Sequence, residues 1–140
     1  MIELIIIGHG NFASGILSNV SLITGVPEHC NAIDFSFDIS PDMISEKIAE
    51  IIESNPDNSG FLIFTDLLNG TPFNVSARWA VSNPKVKLVY GVNPAMLLET
   101  IMKRNAVDDV NVLAENAVET GKKQIGLFAF RENTDEEDDL

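Results

Sequence analysis

The sequence predicts an α/β fold, an open and mainly parallel sheet with helices on both faces. Three observations predict it. Short apolar, β-branched runs alternate with segments whose apolar residues recur at helical spacing, the pattern of right-handed βαβ units. The first run, Ile2 to Ile7 (IELIII), is apolar at five of six positions, as a strand buried on both faces requires. The chain has 140 residues and 45% apolar content, enough for one core and too little for two.

The elements follow in order. Ile2–Ile7 is the first strand and ends at Gly8-His9-Gly10. Phe12, Ile16, Leu17, Val20 and Ile23 share one helical face, with Asn11 as its cap and Gly25 as its stop. Asn31–Ser36 is a second, weaker strand. Ser40-Pro41-Asp42 starts a helix with a capping hydroxyl and a first-turn proline, and Ile44, Ile48, Ile51 and Ile52 follow at helical spacing. Gly60–Thr65 (GFLIFT) is a third strand and Asp66–Thr71 (DLLNGT) a turn. Thr71 caps, and Pro72 opens, a helix through Val81. Val86–Val92 is a fourth strand. Asn93-Pro94 repeats the cap-proline start ahead of Met96, Leu97, Ile101 and Met102. Asp108 or Asp109 caps a further helix that stops near Gly121, and Lys123–Phe130 is a last strand. That strand breaks the alternation because two helices precede it. It suits an antiparallel edge strand or one that pairs outside its own subunit.

Charge narrows the partners. The sequence holds 9 Lys and Arg against 21 Asp and Glu, a formal net charge of -12. This balance disfavours nucleic acid and anionic membrane surfaces and suits a basic protein partner. Six of the acids fall between Glu132 and Asp139, so residues 1–131 read as the domain and 132–140 as an acidic tail that does not pack. Cys30 alone forms no internal disulfide and no multi-thiolate site. No apolar run approaches the roughly 20 residues of a membrane span, and the first residues lack the basic region of a signal peptide. The expectation is a cytoplasmic domain.

Chemistry is expected where parallel α/β sheets place it, beyond the carboxyl ends of the strands at the switch in strand order. In the order 2-1-3-4 the switch lies between the first and third strands. His9 and Asp66, 57 positions apart in sequence, then become neighbours. The glycines around His9 permit a tight turn and leave the ring approachable. A carboxylate that orients one ring nitrogen makes the other the better nucleophile. Asp66 either orients His9 or caps the turn. The helix that begins at Thr71-Pro72 would aim free amides at the same crevice, an anion cradle. Together these groups suit a phosphoryl group carried on histidine.

Other motifs fall short. There is no GxxxxGK[ST], and GHGNFASG lacks the dinucleotide spacing. His29 and Cys30 have no further ligands at metal spacing. Ser14 and Ser76 lack the G-x-S-x-G elbow. No metal and no cofactor is expected.

IIIGHG with His9, FTDLLNGTPFN from Phe64 to Asn74, YGVNPAMLLETIM from Tyr90 to Met102 and VETG at Val118 to Gly121 occur together. In this combination the chain resembles the enzyme IIA component of the mannose family of the bacterial phosphoenolpyruvate-dependent sugar phosphotransferase system, over residues 1 to about 130. The resemblance implies that His9 is phosphorylated at Nε2 and that Asp66 orients its Nδ1. It implies that Gly70, Thr71, Pro72 and Asn74, with Gly10 beside the histidine, form the phosphate side. The family usually carries two glycines before the Ser/Thr-Pro pair. Here Asn69 replaces the first, and asparagine tolerates the left-handed angles the turn needs. The implied donor is phosphorylated HPr, the histidine-containing phosphocarrier protein. The implied acceptor is a histidine on a separate IIB subunit, with the membrane IIC and IID components reached through IIB. A homodimer with the last strand, about Gln124 to Phe130, crossed to the partner sheet is also implied. Two other readings are the phosphotransfer subunit of a dihydroxyacetone kinase system and a non-catalytic anion-binding regulatory module.

Overall fold

The structure, a computed structural model, describes residues 1–130. Its elements run β1 (Ile2–His9), α1 (Phe12–Thr24), β2 (Cys30–Phe35), α2 (Pro41–Ser54), β3 (Gly60–Thr65), α3 (Thr71–Ser82), β4 (Val86–Tyr90), α4 (Pro94–Lys103) and α5 (Val110–Lys123). The strands form one parallel sheet in the order β2-β1-β3-β4, as expected. No helix of the described residues is long and apolar enough to cross a membrane.

Strand side chains alternate between faces, and the two layers of helices divide accordingly. Leu4, Ile6, Leu62, Phe64 and Val89 pack against Ala13, Ile16 and Val20 of α1, Leu97 of α4 and Leu113 of α5. On the other face Ile5, Ile7, Ile33, Ile63 and Val86 meet Ile44 and Ile48 of α2 and Val75 of α3. β1 and β3 occupy the centre, and β1 from Ile2 to Gly8 and all of β3 are buried. This explains their near-continuous apolar runs.

The helix starts show where local signals hold. Ser40 accepts from the Met43 amide at 3.2 Å, Asn93 from the Met96 amide at 3.1 Å, and Asp109 from the Asn111 amide at 2.9 Å. Two expected caps are corrected. Asn11 precedes α1 without a side-chain capping bond. A tertiary neighbour serves instead: Asp34 of β2 accepts from the Ser14 amide at 3.0 Å and from its hydroxyl at 2.6 Å. Gly70, not Thr71, is the cap of α3, so Thr71 and Pro72 are its first two helical residues. The extended backbone of Gly70 sets the boundary one residue earlier.

The carboxyl end differs more. α5 continues to Lys123, and residues 125–130 form no strand within the chain. A strand needs a neighbouring edge, and this segment makes no ladder with β2 or β4. Its Ile125, Leu127, Phe128 and Phe130 side chains are exposed. The acidic tail lies outside the described residues.

Core truncation should be costly and surface truncation mild. Phe64→Ala empties a fully buried position and should destabilise by about 3–5 kcal/mol. Leu22→Ala, at an exposed position, should stay within about 0.5 kcal/mol. Urea unfolding monitored through Trp79 checks both.

Candidate functional site

Parallel pairing of β1 with β3 sets Ile7 opposite Thr65. The chain leaves both strands at the same end, so His9, the last residue of β1, and Asp66, the first beyond β3, meet as the strand order requires. The His9 Nδ1 lies 2.8 Å from Asp66 Oδ2. The same oxygen accepts the His9 backbone amide at 2.8 Å, and Oδ1 accepts the Leu67 amide at 2.8 Å. Asp66 therefore orients the imidazole and caps its own turn, the two roles the sequence left open.

A carboxylate only accepts hydrogen bonds, so the proton of this contact resides on Nδ1, and in the neutral imidazole Nε2 then carries the ring's lone pair. The His9 side chain is 41% exposed and that of Asp66 10%, which leaves the ring accessible and shelters the carboxylate. Burial by itself would raise the Asp66 carboxyl. The bonds from the His9 amide, the His9 ring and the Leu67 amide outweigh it and hold the group below the usual carboxylate range.

The turn after Asp66 brings α3 against the ring. Asn69 adopts φ +67°, the left-handed conformation expected of it, and the Gly70 amide closes onto Leu67 O at 3.2 Å. A Cβ on Gly70 would lie 2.8 Å from His9 Cε1 and 3.4 Å from Nε2. Only glycine lets the first turn of α3 come this close. The first helical bond of α3 runs from the Asn74 amide to Gly70 O at 2.9 Å. The amides of Thr71 and Phe73 precede it, and Pro72 has none. The Asn74 side chain donates to Asn69 O at 3.3 Å, bracing the turn. A free helix start with its positive dipole end thus sits beside Nε2.

Gly10 follows His9 directly. It takes φ +57°, and its amide bonds Phe35 O at 2.8 Å. With His9, Phe35, Ser36, Phe37 and Ile39 it lines a cleft of about 430 Å³. The Phe35 ring meets His9 edge-on with centroids 5.7 Å apart. Phe35 carried no motif in the sequence; only the β1–β2 register, which pairs His9 with Phe35, places it here.

The remaining candidates have structural roles. Ser76 donates to Pro72 O at 2.7 Å inside α3, and Ser14 serves the α1 start. His29 Nδ1 lies 2.8 Å from Glu3 Oε1 at the opposite end of the sheet. Burial pushes the Cys30 thiol up to about 11, far from a reactive thiolate.

Comparison with known proteins places this geometry among relatives. The family model described as "PTS system fructose IIA component" matches residues 3–118. The sorbose-specific EIIA component of Lacticaseibacillus casei is 33% identical over 103 residues, 74% of each chain. The mannose-specific EIIAB component of Escherichia coli (strain K12) is 31% identical over 122 residues, 86% of this chain. This chain covers 38% of that relative's length. The crystal structure of the phosphotransferase system component EIIA from Streptococcus agalactiae superposes with a TM-score of 0.83 at 34% identity, covering 90% of this chain and 96% of that one.

The lowered Asp66 value makes a signed prediction. Its contribution to stability is complete above the ordinary carboxylate value, about pH 4, and is lost as pH falls through the lowered folded value. Urea midpoints for the native chain and Asp66→Asn should differ at pH 6 and converge as pH is lowered below about 4.

Proposed function

The chain belongs to the mannose family of IIA components of the sugar phosphotransferase system, and from that premise we propose that it carries phosphoryl groups on His9 for sugar uptake. One observation supports this reading above the others. The imidazole is oriented through Nδ1 by a sheltered carboxylate at 2.8 Å, while the start of α3 lies against the side that bears Nε2.

In the first step the Nε2 lone pair attacks the phosphorus of phosphorylated HPr. A bond forms from Nε2 to phosphorus, and the donor's phosphorus–nitrogen bond breaks with its electron pair returning to the donor imidazole. The proton on Nδ1 stays in place, so the phosphorylated ring bears positive charge, which Asp66 offsets. The amides at the start of α3 stabilise the equatorial oxygens during transfer, and Gly70, Thr71, Pro72 and Asn74 shape that cradle. Gly10, next to the histidine, completes the phosphate side. In the second step a histidine of a IIB component attacks the same phosphorus and Nε2 leaves. The membrane IIC and IID components are served through IIB. The cycle places the chain in the cytoplasm.

The exposed Ile125, Leu127, Phe128 and Phe130 fit a homodimer in which residues 125–130 pair with the partner's sheet. Substituting aspartate at Leu127 and Phe128 should then shift the sedimentation coefficient toward the monomer; a native dimer that ignores these changes argues against the pairing.

Intact mass after incubation with enzyme I, HPr and phosphoenolpyruvate tests the carrier role. One phosphoryl group should be gained by the native chain and none by His9→Ala. Gly70→Ala, which crowds the ring, should slow the gain by about 10–100-fold. A chain that binds phosphate but gains no mass would be a non-catalytic anion-binding module instead.

A further inference from the structure

Charge is distributed unevenly about the carboxyl end of the sheet. Its four connections are Gly10–Asn11, Ser36–Ser40, Asp66–Gly70 and Gly91–Asn93, and none contains a lysine or arginine. α1 has no charged residue at all. The first bases of α2, α3 and α4 are Lys47, Arg78 and Lys103, roughly 9–14 Å along their helices from the loop end. Acids do occur there: Asp38 in the β2–α2 connection and Asp42 in the first turn of α2, both exposed. A dianionic phosphoryl group at His9 thus finds backbone amides and no lysine or arginine in the four connections; Lys122 and Lys123 reach this end of the sheet at the close of α5, beside the Gly91–Asn93 connection.

The β2–α2 connection also carries an unusual aromatic. Phe37 is fully exposed yet stands on an ordered turn. The Ile39 amide bonds Ser36 O at 3.1 Å, and the Ser36 hydroxyl donates to Asp38 Oδ1 at 2.7 Å. Phe37 and Asp38 are the two corner residues of that turn. Phe37 lines the same cleft as His9, and Leu67 and Leu68, in the turn after β3, are exposed too. An aromatic presented to water on an ordered turn, in the cleft that His9 lines, contributes nothing to this chain's own core. It is the arrangement of a binding anchor, with a large contact area already ordered before association.

Resting on the carrier reading above, we propose that the Ser36–Ile39 turn is the docking element for the phosphoryl donor, with Phe37 as its apolar anchor and Asp38 and Asp42 as its electrostatic guide. The occupant is a protein surface with an apolar socket bordered by lysine and arginine. Such a surface supplies the cations that the four connections lack. Opposite charge accelerates encounter and loses force as salt rises, while the buried phenyl ring governs dissociation.

The test compares two donors. Phosphorylated HPr must dock, whereas phosphoramidate, a small phosphoryl donor, need not. For F37A the KM for phosphorylated HPr should rise about tenfold or more, and the ratio of HPr to phosphoramidate efficiency should fall by the same factor. F37L should recover part of the loss. D38N combined with D42N should raise the same KM less and flatten its dependence on salt between 0.05 and 0.3 M, a range across which screening changes strongly, the Debye length falling to about 8 Å by 0.15 M. An unchanged KM in F37A overturns the proposal. So does a loss confined to onward transfer to IIB, which would assign the turn to the acceptor, or a change of F37A from dimer to monomer, which would assign it to a second copy. If the native chain accepts phosphoryl from neither donor, the carrier reading itself fails.

Discussion

The double acceptance by one Asp66 oxygen, from the backbone amide and from the ring of His9, is the contact on which the site depends. It ties the end of β1 to the turn after β3 and selects the ring's tautomer in the same stroke. Its geometry is set by the sheet. With Ile7 opposite Thr65, His9 and Asp66 leave the two central strands side by side. A register slip of one residue would turn each side chain to the other face and part them. The buried apolar runs of β1 and β3 make such a slip expensive, so the core that stabilises the fold also holds the imidazole in place.

A second constraint is steric. The start of α3 can approach His9 only because Gly70 has no Cβ and Asn69 accepts a left-handed backbone. The Asp66 carbonyl accepts the Gly91 amide at 3.1 Å, and Phe73 meets Tyr90 edge-on, so the loops after β3 and β4 brace one another. The result is a concentration of backbone dipoles among connections that carry no lysine or arginine.

Much of this was legible in the sequence because its signals are local. Periodicity placed four strands and five helices, and Ser40, Asn93 and Asp109 cap as their side chains predict. The prediction weakened wherever a partner distant in sequence decides. Asn11 looks like a cap, but Asp34 performs the task. Thr71 looks like a cap, but the extended backbone of Gly70 moves the boundary. Lys123–Phe130 has the composition of a strand, but composition supplies no edge to pair with, and within the chain the segment remains unpaired.

By itself the sequence determined the α/β alternation and, with the common strand order 2-1-3-4 that the structure bears out, the nomination of His9 and Asp66. These follow from hydrophobic period, connection length and the rule that ligands bind at the switch point, all properties of short stretches of chain. Only the tertiary structure decided that one carboxylate both orients the ring and caps its turn, that Phe35 packs against the imidazole, that α3 touches it through Gly70, and that Phe37 stands exposed on an ordered corner. Each of these depends on the register between β1 and its neighbours and on backbone angles at single residues. Such contacts join atoms brought close by packing, which no local pattern encodes.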